Sequence, residues 1–423
     1  MDYAQAMEYI DREDKRGHRG GLQSIEKLLN ALGHPEDALR FIHITGTNGK
    51  GSTAAFTSSM LQEGGYQVGL FTSPHILSFQ ERFRINGLPM PEEAVANYME
   101  QVKAAVERVP ELVQRPPSYF EITVAIGMLY FRDMAVDYVV LEVGIGGAND
   151  PTNIVKNTEL CIFTPISYDH VDRLGRDLEG IAEEKAGIIK PGCAVAVYPS
   201  DPIVCQRIAV HAQRAGVELA EFDPDAIKIS YSGEEGSEFV YNGSSYRITL
   251  VGVHQVYNAA LALFALEVLG MDLPYEVAAR GLIKTTWVGR MTRLMRHPSF
   301  FIDGAHNEHG IQALLQTLSL FRYERLILGI GTMKDKDILP GFQELIKMAD
   351  QVIVTSIDYE RAYKEEDLLK SLGLFDAIPV TGVGRAVDRA LELAGPKDLI
   401  LFTGSLYLVG EVFAYAVENG LID

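Results

Sequence analysis

Lys50 stands between two glycines in Thr45-Gly46-Thr47-Asn48-Gly49-Lys50-Gly51-Ser52, directly after the apolar run Phe41-Ile42-His43-Ile44. Closely spaced glycines let consecutive amide N–H groups turn inward on an anion, and a lysine placed there reaches the outer phosphates of a nucleotide. The usual phosphate loop has a glycine where this chain has Ile44, and a hydroxyl residue where it has Gly51. Ser52 and Thr53 supply the hydroxyls just afterwards, and the helix-compatible run 54–61 follows. A glycine-rich turn with no ligand is the alternative. Strand, loop and helix signals in the order a phosphate loop requires favour the nucleotide.

Other residues could assist that chemistry. Glu142 ends the apolar run Tyr138-Val139-Val140-Leu141, which puts a carboxylate beside Mg²⁺ at the mouth of a nucleotide site. Thr72-Ser73-Pro74-His75 and Thr164-Pro165-Ile166-Ser167-Tyr168-Asp169-His170 end two further apolar runs with oxygen donors, a carboxylate and an imidazole. His75, His254 and His309 read as structural, whereas His170 stands out by its strand-end position. Lys185 and Lys190 in Glu183-Glu184-Lys185-Ala186-Gly187-Ile188-Ile189-Lys190 read, by themselves, as solvated helix charges.

Short β-rich runs alternating with helical stretches must position these groups. Strands are expected at 41–45, 68–72, 137–143, 160–164 and 194–198, with helices at 91–109, 119–133 and 178–190. Segments 227–231, 238–241 and 246–251 read as a small antiparallel patch with turns at Ser232-Gly233 and Asn242-Gly243. A second alternating series, with strands at 300–303, 325–330, 351–356 and 399–403, makes a separate doubly wound domain joined near 290–298. The C-terminal strand ends of a parallel sheet share one edge, the usual ligand edge of open α/β folds.

Composition bounds the function. The 423 residues, 47% of them hydrophobic with mean hydropathy +0.04, suit two globular domains. A formal charge of −19 argues against a nucleic-acid or anionic-membrane surface. No apolar run approaches spanning length, the first residues are polar, and Cys161, Cys193 and Cys205 show no paired spacing, so a cytoplasmic address is expected.

These motifs, with Glu81-Arg82-Phe83-Arg84, Tyr119-Phe120-Glu121, Gly144-Ile145-Gly146-Gly147, His254-Gln255-Val256-Tyr257-Asn258 and Asp303-Gly304-Ala305-His306-Asn307, resemble the folylpolyglutamate synthases, in bacteria often bifunctional with dihydrofolate synthase, of the Mur-ligase-like superfamily. The resemblance runs from Thr45 to Thr403-Gly404-Ser405-Leu406-Tyr407. It implies an α/β chain whose N-terminal part, 1–296, is a P-loop ATPase-type doubly wound, mostly parallel sheet with a small antiparallel patch. A smaller C-terminal Rossmann-like α/β domain, 297–423, binds glutamate.

It also implies ATP-dependent joining of L-glutamate to a folate carboxylate, with dihydropteroate as a further substrate, through an acyl phosphate. By resemblance Thr47, Asn48, Gly49, Lys50, Gly51 and Ser52 hold ATP, with Asn258, Arg290 and Asp303 completing that site. Ser73, Glu142, His170 and Lys185 match Mg²⁺ ligands, two ions in all, and Lys185 matches a carbamylated lysine, which displaces the solvated-helix reading. A carbamate offers oxygens to a hard cation where an ammonium cannot. Ser118, Tyr119, Phe120, Glu121 and Asp150 match the folate pocket, and His306 and Ser405 the glutamate side. Lys50, Lys185, His170 and His306 are the catalytic expectations, and the resemblance favours a monomer.

Two segments depart from the family pattern: Gly147-Ala148-Asn149-Asp150-Pro151-Thr152, where Arg-Leu-Asp is usual, and Trp287-Val288-Gly289-Arg290, where Pro is common at Val288. A muramyl ligase is the nearest rival, disfavoured by the 44 residues before Thr45. A P-loop switch protein is another, disfavoured because no Asn-Lys-x-Asp guanine reader occurs.

Overall fold

In a computed structural model of the chain, the described residues are 1–14, 21–168, 175, 177–334, 340–359, 361–374 and 376–422. Contacts divide the chain into two compact units. The first comprises Met1–Lys228, Tyr241–Ser244 and Tyr257–Thr285, and the second Ile229–Val240, Ser245–Val256 and Thr286–Asp423.

The first unit is built on β1 (Phe41–Thr45), β2 (Val68–Phe71), β3 (Phe83–Ile85), β4 (Leu88–Pro89), β5 (Tyr138–Glu142), β6 (Thr158–Phe163), β7 (Ala194–Val197) and β8 (Leu219–Glu221). They form one sheet in the order β4-β3-β2-β5-β1-β6-β7-β8, parallel except for the β2/β3 and β3/β4 pairs. β1, β5 and β6 are buried along nearly their whole length, as expected of parallel strands covered on both faces. Helices Glu92–Arg108 and Tyr119–Asp133 close one face, together with the N-terminal helices Tyr3–Asp14 and Gln23–Ala31. Leu178–Ala186 and Pro202–Ala215 pack on a second cluster around Cys161, Phe163 and Val195.

The second unit's sheet holds β12 (Thr292–Arg296), β13 (Ser299–Asp303), β14 (Leu326–Ile330), β15 (Gln351–Thr355), β16 (Ile378–Val380) and β17 (Leu399–Thr403). Its order is β12-β13-β17-β14-β15-β16, parallel except for β12/β13. The three-stranded patch is β9 (Lys228–Gly233), β10 (Gly236–Tyr241) and β11 (Ser244–Ile248).

The expected α/β class holds in both sheets, and the strands expected at the ligand edge are present. Differences sit at boundaries. The first hairpin turn falls at Glu234-Glu235, because Gly236 takes φ +108° and carries the return strand. The Asn242-Gly243 turn is as expected, both residues at positive φ. The helix expected to run to 190 stops at Ala186, before Gly187. The 290–298 segment, expected as a joint, contains β12, an edge strand on β13. Short strands at or next to the sheet edges, such as β3, β4, β8 and β16, carry too few residues to show a period.

Candidate active site

In the first unit, register brings the expected groups to one edge. Ile44 pairs with Glu142, Thr45 with Phe163, and Phe71 with Leu141, so the chain leaving β1, β2, β5 and β6 emerges side by side. β1 lies between β5 and β6, where successive connections diverge, the crevice in which open sheets bind ligands.

Glycine is required at two points of the loop after β1. Gly46 lies against β6, and a Cβ there would come within 1.9 Å of Thr164 Oγ1. Gly49 adopts φ +86°, and its Cβ would meet Asn258 Oδ1 at 2.5 Å. Gly49 is the N-cap of helix Lys50–Glu63 and offers no side-chain cap, so the first-turn N–H groups are not claimed by a cap and the positive dipole end faces the loop. Thr47 pins the loop to the β6 exit: its hydroxyl donates to Ser167 O (2.9 Å) and accepts from Ser167 N–H (3.0 Å). The helix behind is clamped by Gly281, whose carbonyl accepts from Ser59 Oγ at 2.7 Å.

Lys50 Nζ donates to the carbonyls of Gly46 and Thr47, both at 3.1 Å. Lys185, 4% exposed, donates to the same Gly46 carbonyl at 2.7 Å. Lys185 therefore points inward from helix Leu178–Ala186, on the face that buries Ile181 and Ala182. Two amines on one carbonyl oxygen repel as ammonium ions, and the same spot attracts phosphate. Glu142, 5% exposed, accepts the backbone N–H of Ser73 at 3.1 Å, so these two expected ligands are neighbours. Ser52 is buried in the helix's first turn beside Gly51. His170, with Asp169, lies outside the described residues.

The residues expected at a folate pocket divide into two kinds. Tyr119 meets Phe79 edge-on at 6.0 Å with the Arg82 guanidinium 5.4 Å above its ring, and Phe120 meets Phe71 at 6.1 Å and closes over Gly144. Ser118 and Glu121 instead form a capping box for helix Tyr119–Asp133. Glu121 also accepts from Ile25 N–H at 3.1 Å, tying down the N-terminal helix, and burial raises its pKa. Asp150, 4% exposed, takes Thr152 N–H and hydroxyl on one oxygen and Ile145 N–H on the other. Burial raises the Asp150 pKa, while those hydrogen bonds oppose the shift. Its carboxylate is held inside the chain, beneath the Gly144–Gly147 turn.

Two groups escaped the sequence reading. His43, fully buried in β1, meets Thr152 Oγ1 at 3.0 Å and is held neutral, burial lowering it to about 3. Arg82 donates to His75 Nδ1 at 2.9 Å, and His75, lowered to about 4 by burial and that cation, is neutral. A histidine inside an apolar strand just before a phosphate loop was the available signal for His43.

The second unit gathers Arg290, Asp303, His306 and Ser405. β13 and β17 pair Asp303 with Thr403, which places the chain leaving both strands side by side. Asp303, 7% exposed, accepts Met291 N–H and Ala305 N–H, each at 2.8 Å. Burial raises its pKa and Arg290 opposes that shift. Arg290 Nη1 donates to Gly289 O at 3.0 Å. His306 Nδ1 sits 2.8 Å from the Gly304 carbonyl, which can only accept, so Nδ1 carries the proton and Nε2 the lone pair of the neutral ring. Ser405 caps helix Leu406–Glu418, its Oγ accepting from Tyr407 N–H. His254, lowered to about 4 by burial and Arg290, stays structural. Of the three residues expected to complete the nucleotide site, Asn258 lies at the loop in the first unit, and Arg290 and Asp303 lie together in the second.

Comparison with known proteins gives concordant results. The family described as Mur ligase middle domain matches residues 44–266, and that described as Mur ligase, glutamate ligase domain matches 289–406. A dihydrofolate synthase/folylpolyglutamate synthase of Bacillus subtilis is 35% identical over 428 residues, covering 97% of this chain and 98% of the relative. The Mycobacterium tuberculosis folylpolyglutamate synthase complexed with ADP and AMPPCP superposes with TM-score 0.87 at 31% identity, over 99% of this chain and 98% of that one. E. coli FolC in complex with DHPP and ADP superposes with TM-score 0.87 at 28% identity, over 99% of each chain.

Proposed function

The chain belongs to the folylpolyglutamate synthase/dihydrofolate synthase family of Mur ligases, and we propose that the two half-sites described above divide one ligation between them. The protein is an ATP-dependent, ADP-forming ligase that adds L-glutamate to folates. The observation that carries the assignment of residues is the convergence of Lys50 and Lys185 on Gly46 O, at the uncapped start of helix Lys50–Glu63.

Loop amides from Gly49 to Ser52 cradle the ATP phosphates, those of Thr47 and Asn48 donating to Pro165 O and shaping the loop, and Lys50 exchanges its two carbonyl partners for the outer phosphates. Asn258 buttresses Gly49, and Arg290 and Asp303 complete the nucleotide site. A folate carboxylate oxygen attacks the γ-phosphorus, ADP leaves, and an acyl phosphate forms. The glutamate amine then attacks that carbonyl, phosphate departs, and the amine's proton passes to a base. His306 Nε2 suits that role, and the Ser405 hydroxyl suits a glutamate carboxylate. No protein nucleophile is required; positioning and charge neutralisation supply the rate.

Ser73, Glu142, His170 and Lys185 would hold Mg²⁺. The buried Glu142 carboxylate beside Ser73 fits a hard cation, which when bound neutralises phosphate charge. Lys185 fits carbamylation: the change replaces repulsion from Lys50 by attraction while leaving an N–H for Gly46 O. Tyr119 and Phe120 face the folate, and Ser118, Glu121 and Asp150 hold the elements that carry them. Residues 1–296 supply ATP binding and 297–423 glutamate binding, in a monomeric cytoplasmic enzyme. Among the described residues no helix is long and apolar enough to cross a membrane.

The test is phosphate release with and without a reduced folate plus L-glutamate. Release that needs both substrates is expected, whereas hydrolysis indifferent to them would leave a P-loop switch as the better reading. Repeating the assay with dihydropteroate decides whether the first glutamate is added by the same site.

A further inference from the structure

The turn that follows β5 is fastened to the end of the helix that carries Lys185. Ala148 N–H donates to Glu184 O at 2.7 Å, and Asn153 Nδ2 donates to Ala148 O and Gly187 O, each at 3.1 Å. Asn149 grips the Glu184 side chain with three hydrogen bonds, backbone N–H to Oε1 at 2.8 Å and Nδ2 to Oε1 at 3.3 Å and to Oε2 at 3.0 Å. The last carbonyls of a helix have no partner within it, so these donors satisfy part of that need. The contact is backbone on backbone. A Cβ on Gly147 would stand 2.5 Å from Glu184 O and 2.9 Å from Lys185 Cα, and one on Gly187 would stand 2.4 Å from Ala148 Cβ. The far end of the turn is anchored on β1 through Asp150, Thr152 and His43.

We propose that Asn149 and Glu184 form a latch that sets where Lys185 presents its Nζ, making both positioning residues for the ligation. The proposal rests on the role given to Lys185 above. Glu184 and Lys185 are successive residues on one helix, about 100° apart around its axis, so the latch faces out while Nζ faces the loop. Asn149 does not touch Nζ; it holds the helix end from which a long, rotatable side chain must reach Gly46 O. Asn149 is exposed, and polar contacts at such a surface add little to stability. The consequence of losing them belongs in the chemistry, where a shift of an ångström can cost as much as two orders of magnitude.

Four variants test this: Asn149→Ala, Glu184→Gln, Asn149→Asp and the pair Asn149→Asp with Glu184→Gln. Each is read by kcat, the ATP KM, the thermal midpoint, and the ¹³C NMR carbamate signal of whole enzyme in labelled bicarbonate. We expect Asn149→Ala to lower kcat about tenfold with unchanged ATP KM and to need more bicarbonate for the same carbamate signal, and Glu184→Gln, whose one amide oxygen still accepts from Asn149, to show the same changes to a smaller extent. Their thermal midpoints should stay within about 2 °C of the parent. Asn149→Asp alone should be worst, since two carboxylates then face each other, and the pair should recover most of the parent kcat.

Parental kcat and carbamate signal in the single variants would overturn the latch, as would a kcat loss that tracks the thermal midpoint or is not recovered by the pair. Lys185→Ala separates the two levels. Full activity in that variant brings down the role of Lys185 itself, whatever the latch variants do.

Discussion

At the end of β1, glycine geometry and a helix start without a side-chain cap leave donors turned toward a ligand, with two lysines waiting on one carbonyl. At the end of β13 the same polar groups also hold the chain in shape. Asp303 satisfies two backbone amides, His306 is tied to Gly304, and Ser405 caps a helix. The first region is built to receive charge, and the second fastens its own backbone. Substitutions should therefore weigh differently: lost chemistry with the fold kept at Lys50 and Lys185, and lost stability at Asp303.

The largest effect is expected at Lys50. Lys50→Ala should lower ATP turnover by roughly a thousandfold, the upper range for one preorganised donor, with an unchanged circular dichroism spectrum. Unchanged kinetics would remove the loop from the account. Lys185→Ala should come next, abolishing ligation but allowing partial recovery with added formate or acetate, whose oxygens would replace those of the proposed carbamate. Activity without any added carboxylate would return Lys185 to a merely buried amine.

Asp303→Ala probes the other side of the comparison. It strands two buried N–H groups, which should cost about 3 kcal/mol in urea unfolding. Trp287 is the sole tryptophan and belongs to the second unit, so its fluorescence reads that loss locally. A parental unfolding curve with lost ATP binding would leave Asp303 with its nucleotide role alone.

A smaller effect sharpens the comparison from the first unit. Burial depresses His43 to about 3, below the ordinary value of about 6.5. The folded chain thus binds fewer protons there than the unfolded one. That stabilisation is complete above pH 6.5 and is lost as pH falls from there toward 3. Between pH 7 and pH 5 the loss should be about 2 kcal/mol, and His43→Gln should flatten the pH dependence. An unaltered slope would mean that His43 is not held neutral.

Much of the first region was legible because its motif is backbone geometry written as residue types. Gly46 and Gly49 are needed by close approaches to Thr164 and Asn258, and the strand ends follow from apolar runs. The residues expected on the folate side have mixed structural roles. Ser118 and Glu121, three apart before an apolar run, are a capping-box signature that reads as structure. Asp150 before Pro151 is likewise the N-cap of a short helix. Lys185 reads as solvated only if its helix is taken alone; four residues after Ile181, it falls on the buried face. The N-terminal helix Gln23–Ala31 was not legible because its three buried residues gain meaning only against helix Tyr119–Asp133, which Glu121 reaches through Ile25.

The central claim is that the first region activates a folate carboxylate by phosphorylation before the glutamate amine arrives. It is tested most directly with folate carrying ¹⁸O at both oxygens of the carboxylate to be extended, turned over with ATP and L-glutamate, with the released phosphate analysed by mass. An acyl phosphate requires the oxygen bridging carbon and phosphorus to leave with phosphorus, so one ¹⁸O per phosphate is predicted, matching the glutamylated product formed. Unlabelled phosphate alongside the same product would contradict the account.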